Sequence, residues 1–219
     1  MKLRKQLSLL AAVVLVACYV IFFSVADLNL PGNHQGYAPE QPISFSHRLH
    51  SGDLKMSCLY CHPGVEKSPV AGIPAATTCM NCHRFVTGGW DETQIQEQQD
   101  QLENREAQFI ISDELAKLYQ SVGFDTDQMA YQEEMATGPI EWTRIHRLPD
   151  FVYFDHRPHV TAGVACQSCH GPVETMERVA QISTLSMGWC VNCHRDVNNG
   201  LVPELVGRVA STECGVCHY

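Results

Sequence analysis

Ten of the chain's eleven cysteines fall into five Cys-x-x-Cys pairs, and a histidine follows each pair at once. The pairs are Cys58/Cys61, Cys79/Cys82, Cys166/Cys169, Cys190/Cys193 and Cys214/Cys217; the histidines are His62, His83, His170, His194 and His218. Cys-x-x-Cys-His is the attachment signature of c-type haem. Thiols at this spacing reach one edge of a porphyrin and bond its vinyl groups, and the histidine after them falls beneath the iron as an axial ligand. Paired cysteines alone would suit disulfides or zinc, but neither requires the histidine. With 11 histidines among 219 residues, all five would be placed so by chance on the order of once in a few million.

Each iron then needs a ligand on its other face. Six histidines remain: His34, His47, His50, His146, His156 and His159. His34 lies near the apolar N-terminal run and has no later counterpart. The other five match the irons in number. His47, His50, His156 and His159 occupy repeated positions, and His146 is expected to serve the terminal site. Five bis-histidine irons leave no open coordination position, so the chain is expected to move electrons and to carry no catalytic residue. Met176 and Met187 are the alternatives for one distal position, where a Met ligand would raise the potential. The three-residue spacing within each Phe-x-His-x-x-His is expected to send its histidines to two different irons. Arg84 and Arg195 are placed either to pair with haem propionates or to stand in solvent.

Two stretches position these residues, and they repeat each other. Phe45-Ser-His47-Arg48-Leu-His50 recurs as Phe154-Asp-His156-Arg157-Pro-His159. Cys58-x-x-Cys61-His62 recurs as Cys166-x-x-Cys169-His170, and Cys79-Met-Asn81-Cys82-His83-Arg84 as Cys190-Val-Asn192-Cys193-His194-Arg195, at an offset of about 109 residues. Two dihaem modules follow, at 45–87 and 142–197, with a fifth site in 198–219. A linker over 27–44 contains Pro31, Gly32, Gly36, Pro39 and Pro42, poor helix material.

Residues 88–141 separate the modules. They contain 13 Asp or Glu and 2 Lys or Arg, a net of −11 against −9 for the whole chain, so the remainder nets +2. Ile111, Leu115, Leu118 and Val122 form a helical stripe, with Ser112 to cap it and Gly123 to end it. The stretch reads as a solvated, partly helical insertion. Its acidity also suits a docking face for a basic electron-transfer partner. A chain this acidic is not expected to bind nucleic acid.

From Leu7 to Ala26 runs an uncharged apolar stretch, behind Lys2, Arg4 and Lys5. At about 1.5 Å per residue it reaches roughly 30 Å, a bilayer core. Residues 1–26 are therefore expected to be an uncleaved transmembrane anchor in membrane lipid, with the N-terminus cytoplasmic and the rest on the outer, periplasmic face. A cleaved signal ending at Ser24-Val25-Ala26, or a lipoprotein signal at Leu15-Val16-Ala17-Cys18, would deliver the same domain outside. The low aromatic content, 8%, and the lack of alternating strand pattern predict a mainly α and irregular fold of short helices and loops around the haems.

The Phe-x-His-x-x-His and Cys-x-x-Cys-His modules resemble the class III, cytochrome c3/c7-like multihaem cytochromes. Within that group, Trp142 to Val160 (with His146, Phe154, His156 and His159), Met187 to Arg195, and Tyr37 to Ile43 resemble the pentahaem subunit of alternative complex III. The resemblance covers most of residues 37–218. It implies five covalent haems c, a single N-terminal anchor and the role of a wire in a quinol-oxidising membrane complex. The partners it implies are an iron–sulfur subunit related to molybdopterin oxidoreductases, polytopic quinol-binding subunits and a monohaem cytochrome c. The acceptor would be a periplasmic carrier or terminal oxidase. The long acidic stretch departs from that pattern. Two further readings are a self-contained multihaem quinol dehydrogenase, hinted at by His34 beside the anchor, and a reductase with one open iron.

Overall fold

A computed structural model of the chain describes residues 2–26, 34–108 and 110–219. The described fold is mainly helical and irregular, as its composition predicts. After α1 (Lys2–Ala26) come a π-helix (Arg48–Asp53), α2 (Cys58–Cys61), α3 (Ala76–His83), α4 (Trp90–Leu102) and α5 (Asp113–Val122). A two-stranded antiparallel hairpin follows, β1 (Phe124–Asp125) and β2 (Ala130–Tyr131). The second half adds α6 (His156–Ala162), α7 (Gln167–His170), α8 (Met187–Asn198) and α9 (Cys214–Cys217).

All five Cys-x-x-Cys-His motifs begin or lie on short helices, and a preceding serine caps two of them. Ser57 accepts from the Leu59 amide at the head of α2, and Ser186 from the Trp189 amide at the head of α8. Such side-chain caps satisfy backbone donors that a helix start leaves open. Asp155 caps α6 through the Arg157 amide, which fixes the helix carrying His156 and His159.

The acidic stretch does more than the sequence reading assigned to it. Its α5 forms where the stripe predicts, with Ser112 accepting from the Leu115 amide and Gly123 left-handed at φ 65°. A Cβ at Gly123 would lie 2.2 Å from the Gln132 carbonyl oxygen, so the close turn into the hairpin needs glycine. The stretch is not only solvated surface. Leu118, Tyr119 and Phe124 are buried with Met80 of α3, and Ile43, Ile111, Leu115, Val122 and Ile140 pack around them. This part of the insertion thus clamps the helix that bears His83.

The two repeats interlock reciprocally. The π-helix of the first packs on the 3-10 turn Val173–Thr175 of the second, and α6 of the second packs on the 3-10 turn Pro63–Glu66 of the first. At the first junction a Cβ on Gly52 would stand 2.1 Å from the Glu174 carbonyl oxygen. The Arg48 amide donates to the Met176 carbonyl there at 2.9 Å.

The expected membrane anchor falls on α1, a single helix of 25 residues. Its described side chains, Gln6, Ser8 and those from Leu10 to Ile21, are exposed on every face. Among the described residues, however, no helix is long and apolar enough to cross a membrane. The flanking side chains, with Lys2, Arg4, Lys5 and the Ser24-Val25-Ala26 cleavage motif, lie outside the described set, as do Pro31 and Gly32 of the linker.

Candidate multihaem centre

Each repeat holds its two distal-candidate histidines with the same phenylalanine. Phe45 meets His47 edge-on at 4.9 Å and stacks on His50 at 4.4 Å between ring centroids. Phe154 meets His156 edge-on at 4.8 Å and lies against His159 at 4.8 Å. Sequence reading placed both rings in the repeated motif but gave them no role. Their recurrence immediately before each His-x-x-His was the available signal.

Backbone carbonyls then fix the imidazoles. Nδ1–H of His50 donates to Ser46 O at 2.9 Å, and that of His159 to Asp155 O at 2.8 Å, the same position in both repeats. His156 donates to Pro69 O, His62 to Gly72 O and His83 to Val86 O, each at 2.8 Å. His194 donates to Ser211 O, and His218 to Phe151 O at 3.3 Å. A carbonyl can only accept, so the proton sits on Nδ1 and the Nε2 lone pair is free for a metal. Second-shell partners of this kind are what orient ligating histidines.

The imidazoles face one another in pairs. Ring centroids are 6.0 Å apart for His50 and His83, 6.1 Å for His159 and His194, and 6.4 Å for His156 and His170. An imidazole nitrogen binds a transition metal at about 2 Å, and its ring centre lies about 1 Å further out, so two rings flanking one iron stand roughly 6 Å apart. The observed spacing fits an iron between each pair. His47 completes the pattern: it neighbours His62 and His50, and its Nδ1 is buried without a partner. In each His-x-x-His the two histidines thus lie against two different Cys-x-x-Cys-His sites, the first histidine beside the first site.

Protonation supports metal binding. Burial, with His62 and His50 alongside, pushes His47 down to about 4. Burial, with His146, His156 and His62 nearby, does the same for His170, also to about 4. Both are neutral at neutral pH, as a ligand must be. Burial raises the Cys61, Cys79, Cys166, Cys169 and Cys190 thiols. Cys169 goes furthest, to about 11, with Cys193, Cys190 and Cys166 adding to the burial. Among the described residues no three His, Cys, Asp or Glu side chains converge on a bare-ion site. Facing imidazole pairs are a donor set that would suit haem iron.

The residues predicted as ligands are not all brought together as expected. His146 stands against His170, with centroids 4.5 Å apart and its Nε2 3.4 Å from His170 Nδ1. No hydrogen bond or ring contact joins His146 to His218 among the described residues. Phe151 instead stacks on His218 at 5.9 Å. His34 meets Tyr37 edge-on at 6.1 Å, away from the facing pairs. Met187 is exposed at the start of α8, and Arg84 lies over the Phe85 ring at 4.9 Å.

The comparisons with known proteins agree with this geometry. Residues 152–219 match the family described as cytochrome c7 and related cytochrome c, a region holding the second repeat's histidine pair and the last three attachment motifs. The chain is also 27% identical over 199 residues to the menaquinone reductase multiheme cytochrome c subunit of Nitratidesulfovibrio vulgaris, covering 82% of this chain and 77% of that relative. The chain is thus similar to c7-like multihaem cytochromes, and covalent haem c is the cofactor that the matched family implies.

Proposed function

We propose that this chain is a membrane-anchored pentahaem cytochrome c. It conducts electrons from a quinol-oxidising membrane complex, through an iron–sulfur partner subunit, to an acceptor outside the cytoplasm such as a monohaem cytochrome c. Cys58, Cys61, Cys79, Cys82, Cys166, Cys169, Cys190, Cys193, Cys214 and Cys217 attach the haems. His62, His83, His170, His194 and His218 are the proximal ligands, and His47, His50, His156 and His159 the distal ones. Haem iron, once bound, exchanges one electron between ferric and ferrous states. The protein's own part is to hold paired neutral imidazoles and to close coordination positions, so that electrons pass and no substrate binds. The observation that carries this reading is the set of facing imidazole pairs at 6.0–6.4 Å.

The anchor reading is supported by α1, whose side chains from Leu10 to Ile21 are uncharged and exposed on all sides, as a helix facing lipid requires. The relative is named as a subunit of a menaquinone reductase, which supports a second reading in which the same wire runs in reverse. The terminal site supports a third, since no imidazole faces His218 among the described residues and an open iron there would bind a small ligand. One purification from membranes without dissociation tests all three. The expected result is five haems per chain, low-spin spectra, co-purifying membrane and iron–sulfur subunits, and reduction by quinol. A chain that purifies alone defeats the first reading. Reduction only by an external cytochrome, with quinone as acceptor, favours the second, and carbon monoxide binding to one haem in five favours the third.

A further inference from the structure

We infer that the two repeats meet head to head through their first attachment sites, so that the five centres form one file in the order His83, His62, His170, His194, His218. The inference rests on the reading that each motif holds a haem. It goes beyond that reading because a tandem repeat equally allows a head-to-tail file, in which His83 would adjoin His170.

Three junctions carry the order. The first lies within repeat one. His47 and His50 share one short segment and face His62 and His83, Asn81 donates to the Tyr60 hydroxyl at 3.1 Å, and Cys61 neighbours both Cys79 and Cys82. The second joins the repeats. Pro69, in the loop after His62, accepts from both the amide and Nδ1 of His156, the residue facing His170. The Cys166 thiol has the Cys58 thiol as a hydrogen-bonding neighbour, and His170 has His62 within electrostatic reach. The third attaches the terminal site. His194 donates to Ser211 O, Asn198 exchanges two hydrogen bonds with Ala210 at 2.8 Å each, and Cys190 neighbours Cys217. Between the second and third junctions, α6 carries His156 and His159 to His170 and His194, and Cys169 neighbours Cys190 and Cys193.

The far end of repeat one is closed to the second repeat by the insertion. Tyr119 of α5 donates its hydroxyl to His83 O at 2.6 Å, and Met80 is buried beneath it. The ends of the file are therefore the His83 centre, under the acidic insertion, and the His218 centre, at the C-terminal motif.

Anomalous diffraction at the iron edge, or cryo-electron microscopy of the haem-loaded full chain, decides the order. The expected result is five irons, with the shortest iron–iron separation between repeats joining the His62 and His170 centres. Five irons whose shortest cross-repeat separation involves the His83 centre would overturn the order and leave the pentahaem reading standing. A motif without iron would overturn the pentahaem reading and the order with it.

Discussion

At the scale of residues, His146 is the most informative side chain. The count of histidines assigns it to the terminal iron, while the geometry sets it against Nδ1 of His170. If His170 binds iron through Nε2, its Nδ1–H donates to His146, and that hydrogen bond makes His170 a more basic ligand. His146→Ala should then leave the spin state of every haem unchanged and raise one midpoint potential by roughly 20–65 mV, the one-electron equivalent of about 0.5–1.5 kcal/mol for one hydrogen bond. His146→Gln, which retains an acceptor, should restore most of the shift. By contrast, His159→Ala removes the ring facing His194 and should create one high-spin haem that binds carbon monoxide. Potentiometric titration followed by visible spectra reads both variants. A high-spin haem in His146→Ala would return that residue to the role of distal ligand. The Cys-x-x-Cys-His motifs were legible in the sequence because each is local, five residues in a row. The four histidines of the two Phe-x-His-x-x-His segments were legible as a set, through repetition, but which ring each one faces was not. Nothing in the spacing of His146 tells His170 from His218, which are both distant in sequence and brought near by packing.

At the scale of elements, two contacts govern how the pieces hold together. Gly52 lets the π-helix approach the Val173–Thr175 turn. Gly52→Ala places a methyl 2.1 Å from a backbone oxygen, which cannot swing aside as a side chain would. A destabilisation of about 1–3 kcal/mol is expected, as for other overpacked contacts, read by denaturant unfolding monitored in the Soret band. The second contact is Asp100, 2% exposed at the end of α4. It accepts from the Gln108 amide, Gln96 and Arg105, and these bonds, the Gln108 amide first, hold its carboxyl below the usual carboxylate range. A carboxylate whose folded pKa is depressed lends stability above its unfolded pKa and loses it as pH falls through the folded one. The turn after α4 should therefore be firm at pH 6 and loosen below about pH 3–4. Hydrogen exchange at the Gln108 amide, corrected for the intrinsic rate, reads this, and protection unchanged at pH 2.5 would refute it. The stripe of α5 and its Ser112 and Gly123 ends were legible because they are periodic and local. That α5 would bury its stripe against Met80 was not, since an amphipathic helix shows that it needs a partner without showing which. The reciprocal docking of the repeats was equally hidden, because an offset along the chain says nothing about relative rotation.

At the scale of the whole molecule, α1 and the haem-bearing remainder behave as separate modules in the proposed function. Removing residues 1–26 and supplying a cleavable export signal should release the protein from membranes with its haem spectrum unchanged. Fractionation and absorption spectra check this, and a truncated chain still sedimenting with membranes after a salt wash would place the attachment elsewhere. The sparse apolar interior bears on something different. Met80, Leu118, Tyr119, Phe124, Val197 and Leu205 are the buried large apolar side chains among the described residues, and four of them form the one cluster around α3 and α5. Residues 142–219 have Val197 and Leu205 and, among the described residues, no comparable cluster of their own. In the proposed function their folding waits for the macrocycles, which would tie the protein's lifetime in the cell to its maturation machinery. Cells unable to attach haem should make the chain at the normal rate and degrade it within minutes of export, while residues 76–131 survive longest as a fragment. Pulse-chase labelling would show whether abundance is set by this quality control or by synthesis.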